Sequence, residues 1–214
     1  MSTTREIFDN VITLQSDKWT SYFEVYDRYF SKFKDKASAI FMEVGIMYGG
    51  SIQMWRKFFG DSATIYGIDI NPNVKNMQLP ANNIFIGDQS NPAFWDDTLL
   101  DIPYIDCFLD DGGHTMEQQI VTLKKVWPKI SHGGVYICED LHTSYWNEYG
   151  GGYKNADSMI EFSKKLIDVI NEQHLRNSLD SGIDVSNIES VHFYDSMLVI
   201  IKGKQYNQPI RNFQ

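Results

Sequence analysis

Apolar residues recur along this chain in two rhythms. Between Asp17 and Lys34 stand Trp19, Tyr22, Phe23, Tyr26, Tyr29, Phe30 and Phe33, the i, i+3, i+4, i+7 spacing of an amphipathic helix lying against a body. Short apolar runs then alternate with helical patterns. Ile40–Gly45, Thr64–Ile70, Asn83–Gly87, Ile105–Asp110 and Gly134–Glu139 predict strands, while Gly50–Phe59, Asn91–Leu99 and Thr115–Pro128 predict helices. Strands alternating with helices make βαβ units and therefore a parallel sheet. The rhythm breaks near the end. A long helical pattern over Asn155–His174 is followed by Ile188–Tyr194 and Met197–Lys202, with only Asp195 and Ser196 between them. So short a connection forces an antiparallel hairpin, because a parallel pair needs a crossover. The pattern predicts an α/β fold with helices on both faces of a mostly parallel sheet and an antiparallel last strand.

Composition narrows the partners. With 214 residues, the chain suits one domain over 1–214, with a helical N-terminal region over 1–36 and a polar tail over 203–214. A net charge of −9 repels polyanions, so neither nucleic acid nor an anionic membrane is the expected partner; self-association into a homo-oligomer stays open. Cys107 and Cys138 lie inside apolar runs and read as reduced, buried thiols. Met1–Asn10 carries charges and no apolar stretch, and no segment approaches the ~20 apolar residues of a membrane span. The expected location is cytoplasmic.

Polar residues cluster where the strands end. Glu43-Val44-Gly45-Ile46-Met47-Tyr48-Gly49-Gly50-Ser51 sits where the first strand turns into a helix. Its glycines permit positive φ and close approach to a ligand, although their spacing is not that of a dinucleotide fingerprint. Asp69 closes the next strand, 24 residues after Gly45, near the offset at which an acid reaches ribose hydroxyls. The third strand ends in Gly87-Asp88-Gln89-Ser90, where Asp88 and Gln89 can meet an adenine edge. Binding sites of open α/β sheets lie at such carboxyl ends, so a nucleoside site is expected there. Strand four runs into Asp110-Asp111-Gly112-Gly113-His114 and strand five into Glu139-Asp140-Leu141-His142. Up to four carboxylates then share one cleft, and neither segment contains a Lys or Arg. A divalent cation with oxygen ligands is the expected counter-charge. A turn at Gly112-Gly113 can bring His114 back toward an acceptor hydroxyl as a general base, with His142 as the rival. The segment His142–Tyr153 reads as a lid. Its Tyr145, Trp146, Tyr149 and Tyr153 either stack on sugar faces or cover the core.

At these residues the chain resembles a known family. Ser16-Asp17-Lys18-Trp19, Glu43–Ser51, Met54-Trp55, Tyr66–Ile70, Gly87–Ser90, Asp110–His114 and Glu139–Trp146 look like the macrolide sugar O-methyltransferases of the mycinamicin and macrocin type and their cephalosporin-biosynthesis relatives. The resemblance spans Ser16 to Gly152. It implies a Rossmann-like class I methyltransferase fold with a seven-stranded sheet, S-adenosylmethionine and Mg²⁺ as cofactors, and a sugar or glycan hydroxyl as acceptor. The ion would be held by Asp111, Glu139 and Asp140, and His114 would be the base, with Asp111 and His142 beside it. Cofactor contacts would come from Lys18, Trp19, Glu43, Gly45, Tyr48, Ser51, Asp69, Asp88, Gln89 and Asp110. Two departures stand out: the mycinamicin type carries a further N-terminal domain with no counterpart here, and the motif reads Asp-Gly-Gly-His where relatives have Asp-Gly-Ser-His. The alternatives are a cephalosporin-hydroxylase-like enzyme, disfavoured by the lack of a two-His-one-carboxylate motif, and a non-catalytic nucleoside- or glycan-binding module.

Overall fold

The computed structural model describes residues 2–34, 36–76, 83–176 and 185–203; most of the expected polar tail, 204–214, lies outside them. Seven strands form one sheet in the order β3-β2-β1-β4-β5-β7-β6. They are β1 (Ile40–Val44), β2 (Thr64–Asp69), β3 (Ile84–Ile86), β4 (Ile105–Asp110), β5 (Ile130–Cys138), β6 (Ile188–Tyr194) and β7 (Met197–Lys202). The first five pair in parallel, and β7 pairs antiparallel with both β5 and β6. The two-residue connection through Asp195 and Ser196, the latter at φ 60, forces that reversal, as the spacing predicts. Because β1 pairs with both β2 and β4, strand order reverses beside β1, and a crevice opens at the carboxyl ends there.

Side-chain alternation divides the interior into two layers. Phe41, Ile65, Cys107, Leu109, Val135 and Ile137 face one way, toward α1 (Thr4–Asn10), α2 (Tyr22–Phe30) and α3 (Gly50–Phe59). Met42, Ile68, Phe108, Tyr136 and Cys138 face the other way. That second layer is closed by α4 (Pro92–Thr98), α5 (Met116–Val126), α6 (Met159–Lys164) and α7 (Leu166–Ile170). Period-2 alternation with both faces covered explains why these strands read as continuous apolar runs. Cys107 and Cys138 are free, buried thiols, one in each layer. No helix among the described residues is long and apolar enough to cross a membrane.

Two helices differ from the sequence pattern. The helix expected over Asp17–Lys34 begins only at Tyr22, and Ser21 contributes no side-chain cap. Lys18 is buried by ion pairs and Trp19 stacks on the His142 ring, 5.0 Å between centroids, which draws 17–21 off the helix axis. The helix expected over Asn155–His174 is capped at Ser158 and splits into α6, α7 and a 3-10 turn, Glu172–His174. Ser163 Oγ donates to the Met159 carbonyl at 2.6 Å, a back-bond that bends helices, and the next amides bond three residues back. Helix α1 carries a signal the apolar rhythm does not contain: Thr3 and Glu6 form a reciprocal capping box.

Helix α2 is anchored by aromatic packing. The Phe30 ring is fully buried and meets Tyr26, Phe41, Trp55 and Phe59 at centroid distances of 5.6 to 6.3 Å. Replacing Phe30 by alanine should cost about 3–5 kcal/mol of unfolding free energy, read from the denaturant midpoint at unchanged slope.

Candidate active site

The crevice at the carboxyl ends of β1, β2, β4 and β5 encloses about 350 Å³. Its floor depends on two glycines. Gly45 has φ 89, and a Cβ there would lie 1.8 Å from the Asp111 carbonyl oxygen, so only glycine lets the β1 turn pass under the end of β4. A Cβ on Gly112 would overlap the Gln89 side-chain oxygen at 1.8 Å. Asp69 fastens the turn from the neighbouring strand: Ile46 and Met47 donate their amides to Oδ2 at 3.0 and 2.9 Å. On the far side, His114 and Asp140 both hold left-handed backbone conformations, φ 59 and 56. Such conformations cost about 1–3 kcal/mol in non-glycine residues and gather at functional sites.

The carboxylates have a protein counter-charge that neither acidic segment supplies. Lys18 arrives from the N-terminal segment, its side chain 1% exposed, and pairs with Asp111 Oδ2, with Glu139 Oε2 at 3.1 Å and with Glu43 Oε1 at 3.8 Å. Burial disfavours its charge, but the three carboxylates outweigh that and hold its pKa above the ordinary lysine range. This corrects the inference that a cation alone must neutralise the acids. One ammonium serves three carboxylates, and Asp140 stands beside them in the crevice. Burial pushes the Glu43 carboxyl up to about 7 against the pull of Lys18, and burial with Asp111 beside it raises that of Glu139 as well. Tyr26 donates its hydroxyl to Glu139 Oε1. Tyr22 donates to Asp140 Oδ1 at 2.7 Å. Burial holds both phenols above their ordinary range, so each stays a donor. His114 Nε2 lies 3.3 Å from Asp140 Oδ2 and 4.0 Å from Asp111 Oδ1, while its buried Nδ1 has no partner among the described residues. One ligand atom each from Asp111, His114 and Asp140 lies within 4.8 Å of the others.

No family model matches the chain. The 8-demethyl-8-alpha-L-rhamnosyl tetracenomycin-C 2'-O-methyltransferase of Streptomyces olivaceus is 30% identical over 199 residues, 87% of this chain and 52% of that protein. The mycinamicin VI 2''-O-methyltransferase of Micromonospora griseorubida is 29% identical over 84% of this chain and 47% of its own length. The chain is a homologue of the sugar O-methyltransferases. Two crystal forms of MycE, the methyltransferase of the mycinamycin pathway, solved with Mg and SAH, match with TM-scores of 0.76 and 0.80. Identity is 28 and 26%, over 85 and 94% of this chain and 48 and 54% of theirs. The fold is therefore the Rossmann-like methyltransferase fold. The chain spans about half the length of the curated relatives it matches.

The residues expected from sequence fall into two groups. Lys18, Trp19, Gly45, Asp69, Asp88, Gln89, Asp111, His114, Glu139 and Asp140 line the crevice. Others stand behind it. Glu43 is fully buried and accepts from Ser51 Oγ at 2.8 Å and Trp55 Nε1 at 3.2 Å. Tyr48 is half exposed and lines an adjoining hollow that shares Met47 and Asp69 with the crevice. His142 is held by Ser196 Oγ at 2.6 Å and packs against Trp19 and Trp146. The segment after it forms two 3-10 turns, Leu141–Tyr145 and Asn147–Tyr149, and leaves Tyr145, Trp146 and Tyr153 exposed. Asp110 accepts from Gln89 Nε2 at 2.9 Å and Tyr136 Oη at 3.3 Å in the second layer, so three acids and not four meet the crevice from these two segments. Tyr22 and Gln118 line the crevice without having been expected there. The usable signal for Tyr22 was its four-residue spacing from Lys18 and Tyr26.

Burial pushes the Asp110 carboxyl from its ordinary 3.8 up to about 7, against its Gln89 and Tyr136 donors. Between those values the folded protein holds a proton that the unfolded chain has lost. The stabilisation is therefore complete below pH 3.8 and disappears as pH rises through about 7. The unfolding free energy of the wild type minus that of Asp110→Asn should fall across this interval in urea titrations; a flat difference would contradict the assignment.

Proposed function

We propose that this chain is an S-adenosylmethionine- and Mg²⁺-dependent O-methyltransferase acting on a sugar hydroxyl of a glycosylated small molecule. The observation that carries it is the meeting, in one crevice, of a nucleoside end at Gly45, Asp69 and Asp88 with a carboxylate–histidine end at Asp111, His114 and Asp140. The names of the relatives, which specify 2'- and 3'-O-methylation of rhamnosyl tetracenomycin-C, support the acceptor class.

The residues fit a hard divalent ion through their carboxylate oxygens: one from Asp111 and one from Asp140 converge within 4.8 Å. Asp111 and Asp140 would hold it, with Glu139, which lines the same crevice, as the third oxygen donor. When bound, S-adenosylmethionine supplies an activated methyl group, and the ion acidifies and orients the acceptor hydroxyl. With the cofactor bound, Asp69 would offer its carboxylate to the ribose hydroxyls and Asp88 would meet the adenine edge. His114 takes the acceptor proton at Nε2, the nitrogen that faces the crevice, and Asp140 Oδ2 and Asp111 Oδ1 stabilise the resulting imidazolium. Accepting at Nε2 requires the neutral ring to carry its own proton on Nδ1, the buried nitrogen without a partner among the described residues. His142, fixed by Ser196 and two indoles, orients Trp19 instead of moving protons.

Methyl transfer from labelled S-adenosylmethionine to a panel of glycosylated acceptors tests this reading. His114→Ala should lower kcat about 10²-fold with cofactor affinity kept, whereas His142→Ala should leave kcat within a few-fold. The reverse pattern would transfer the base role to His142, and binding without turnover on any acceptor would favour a binding module. Exhaustive chelation should abolish turnover, and Asp111→Asn should raise the Mg²⁺ concentration needed for half-maximal rate. Full activity after chelation would remove the ion from the reaction.

A further inference from the structure

Lys18, Tyr22 and Tyr26 follow one another at four-residue intervals, and all three reach the acids beyond β4 and β5. The Tyr22 contact has the clearest consequence. Asp140 sits past the end of β5 at φ 56 and ψ 37, outside any regular element. The Tyr22 ring is 1% exposed, so packing fixes its hydroxyl in space. That hydroxyl donates to Asp140 Oδ1 at 2.7 Å, accepts the Asp140 amide at 3.4 Å and lies 3.3 Å from the Ser196 carbonyl oxygen. One carboxylate oxygen is thereby tied down, and the other, Oδ2, is turned to His114 Nε2 at 3.3 Å. Outer partners of this kind orient the groups that hold a metal.

We propose that Tyr22 is a positioning residue, whose hydroxyl anchors Asp140 so that Oδ2 faces the divalent ion and His114. The proposal rests on the ion reading given above. The same helix supplies a matched control: the Tyr29 hydroxyl pairs with that of Tyr194 at 2.8 Å, away from the crevice.

Calorimetric titration of Mg²⁺ into the full chain, for wild type, Tyr22→Phe and Tyr29→Phe, tests it alongside cofactor affinity and steady-state rates. Tyr22→Phe should weaken Mg²⁺ binding about 10-fold, leave S-adenosylmethionine affinity unchanged and recover kcat at high Mg²⁺. Tyr29→Phe should bind Mg²⁺ as the wild type does. In an Asp140→Asn background, Tyr22→Phe should weaken Mg²⁺ binding no further, because its effect runs through that carboxylate. Unchanged Mg²⁺ affinity in Tyr22→Phe, with the wild type binding normally, overturns the positioning role and leaves the ion reading standing. Equal losses in Tyr22→Phe and Tyr29→Phe overturn it too, since that pattern reports a loosened helix. A wild type that binds no Mg²⁺ and works under chelation removes the ion reading and this proposal together.

Discussion

The buried ammonium of Lys18 is the contact on which the rest of the site depends. Parallel strands ending side by side place Glu43, Asp111 and Glu139 within reach of one another, and in a partly dry crevice their mutual repulsion is large. A lysine with no carboxylates would be too costly to bury, and the carboxylates without the lysine would repel one another. Together they form a charged knot that ties the N-terminal segment to the carboxyl edge of the sheet. Removing one partner from such a knot leaves uncompensated buried charge, typically the most destabilising kind of change. The knot also has to be held at its other end. Trp55 donates to Glu43, and Tyr26 and Phe30 of α2 pack on its ring, so the aromatic layer under the sheet supports the electrostatics above it.

Strand parity decides which acids take part. In β4, Phe108 faces the α4–α7 layer and Leu109 the α1–α3 layer, so Asp110 follows Phe108 away from the crevice. There it meets Gln89, which also accepts the Gly113 amide at 2.9 Å. Asp110 and Gln89 thus brace the β3 and β4 ends against each other. In β5, Cys138 belongs to the α4–α7 layer, and Glu139 turns to the opposite side, toward Tyr26 and Lys18. The same alternation that builds the core therefore sorts adjacent acidic residues into structural and crevice-facing ones. The left-handed turn at Asp140 then breaks the parity and keeps two successive acids on one side.

The elements themselves were legible in the chain. β4, β6, β7 and α3 have the bounds that apolar periodicity predicts, and the antiparallel hairpin follows from a two-residue connection. These features are local: a period of two or 3.6, a loop length and a glycine-rich turn are all contained in short windows of sequence. The edge of the sheet at which the polar residues gather was legible for the same reason, since strand ends are read directly off the runs. The family resemblance added roles for individual residues that spacing alone could not assign.

What the tertiary structure decided is the partner of each charge. Lys18 lies 93 residues from Asp111 and 121 from Glu139, and nothing in either window announces the pairing. Tyr22 and Tyr26 read as members of an apolar stripe, which they are by their rings, while their hydroxyls act 118 and 113 residues away. The start of α2 departs from the apolar periodicity because the same ion pairs that build the site hold Lys18 off the helix. Local propensity and periodicity determine which face of an element is buried. Which polar group meets which across that face is determined by packing between elements distant in sequence, and only the folded chain brings them together.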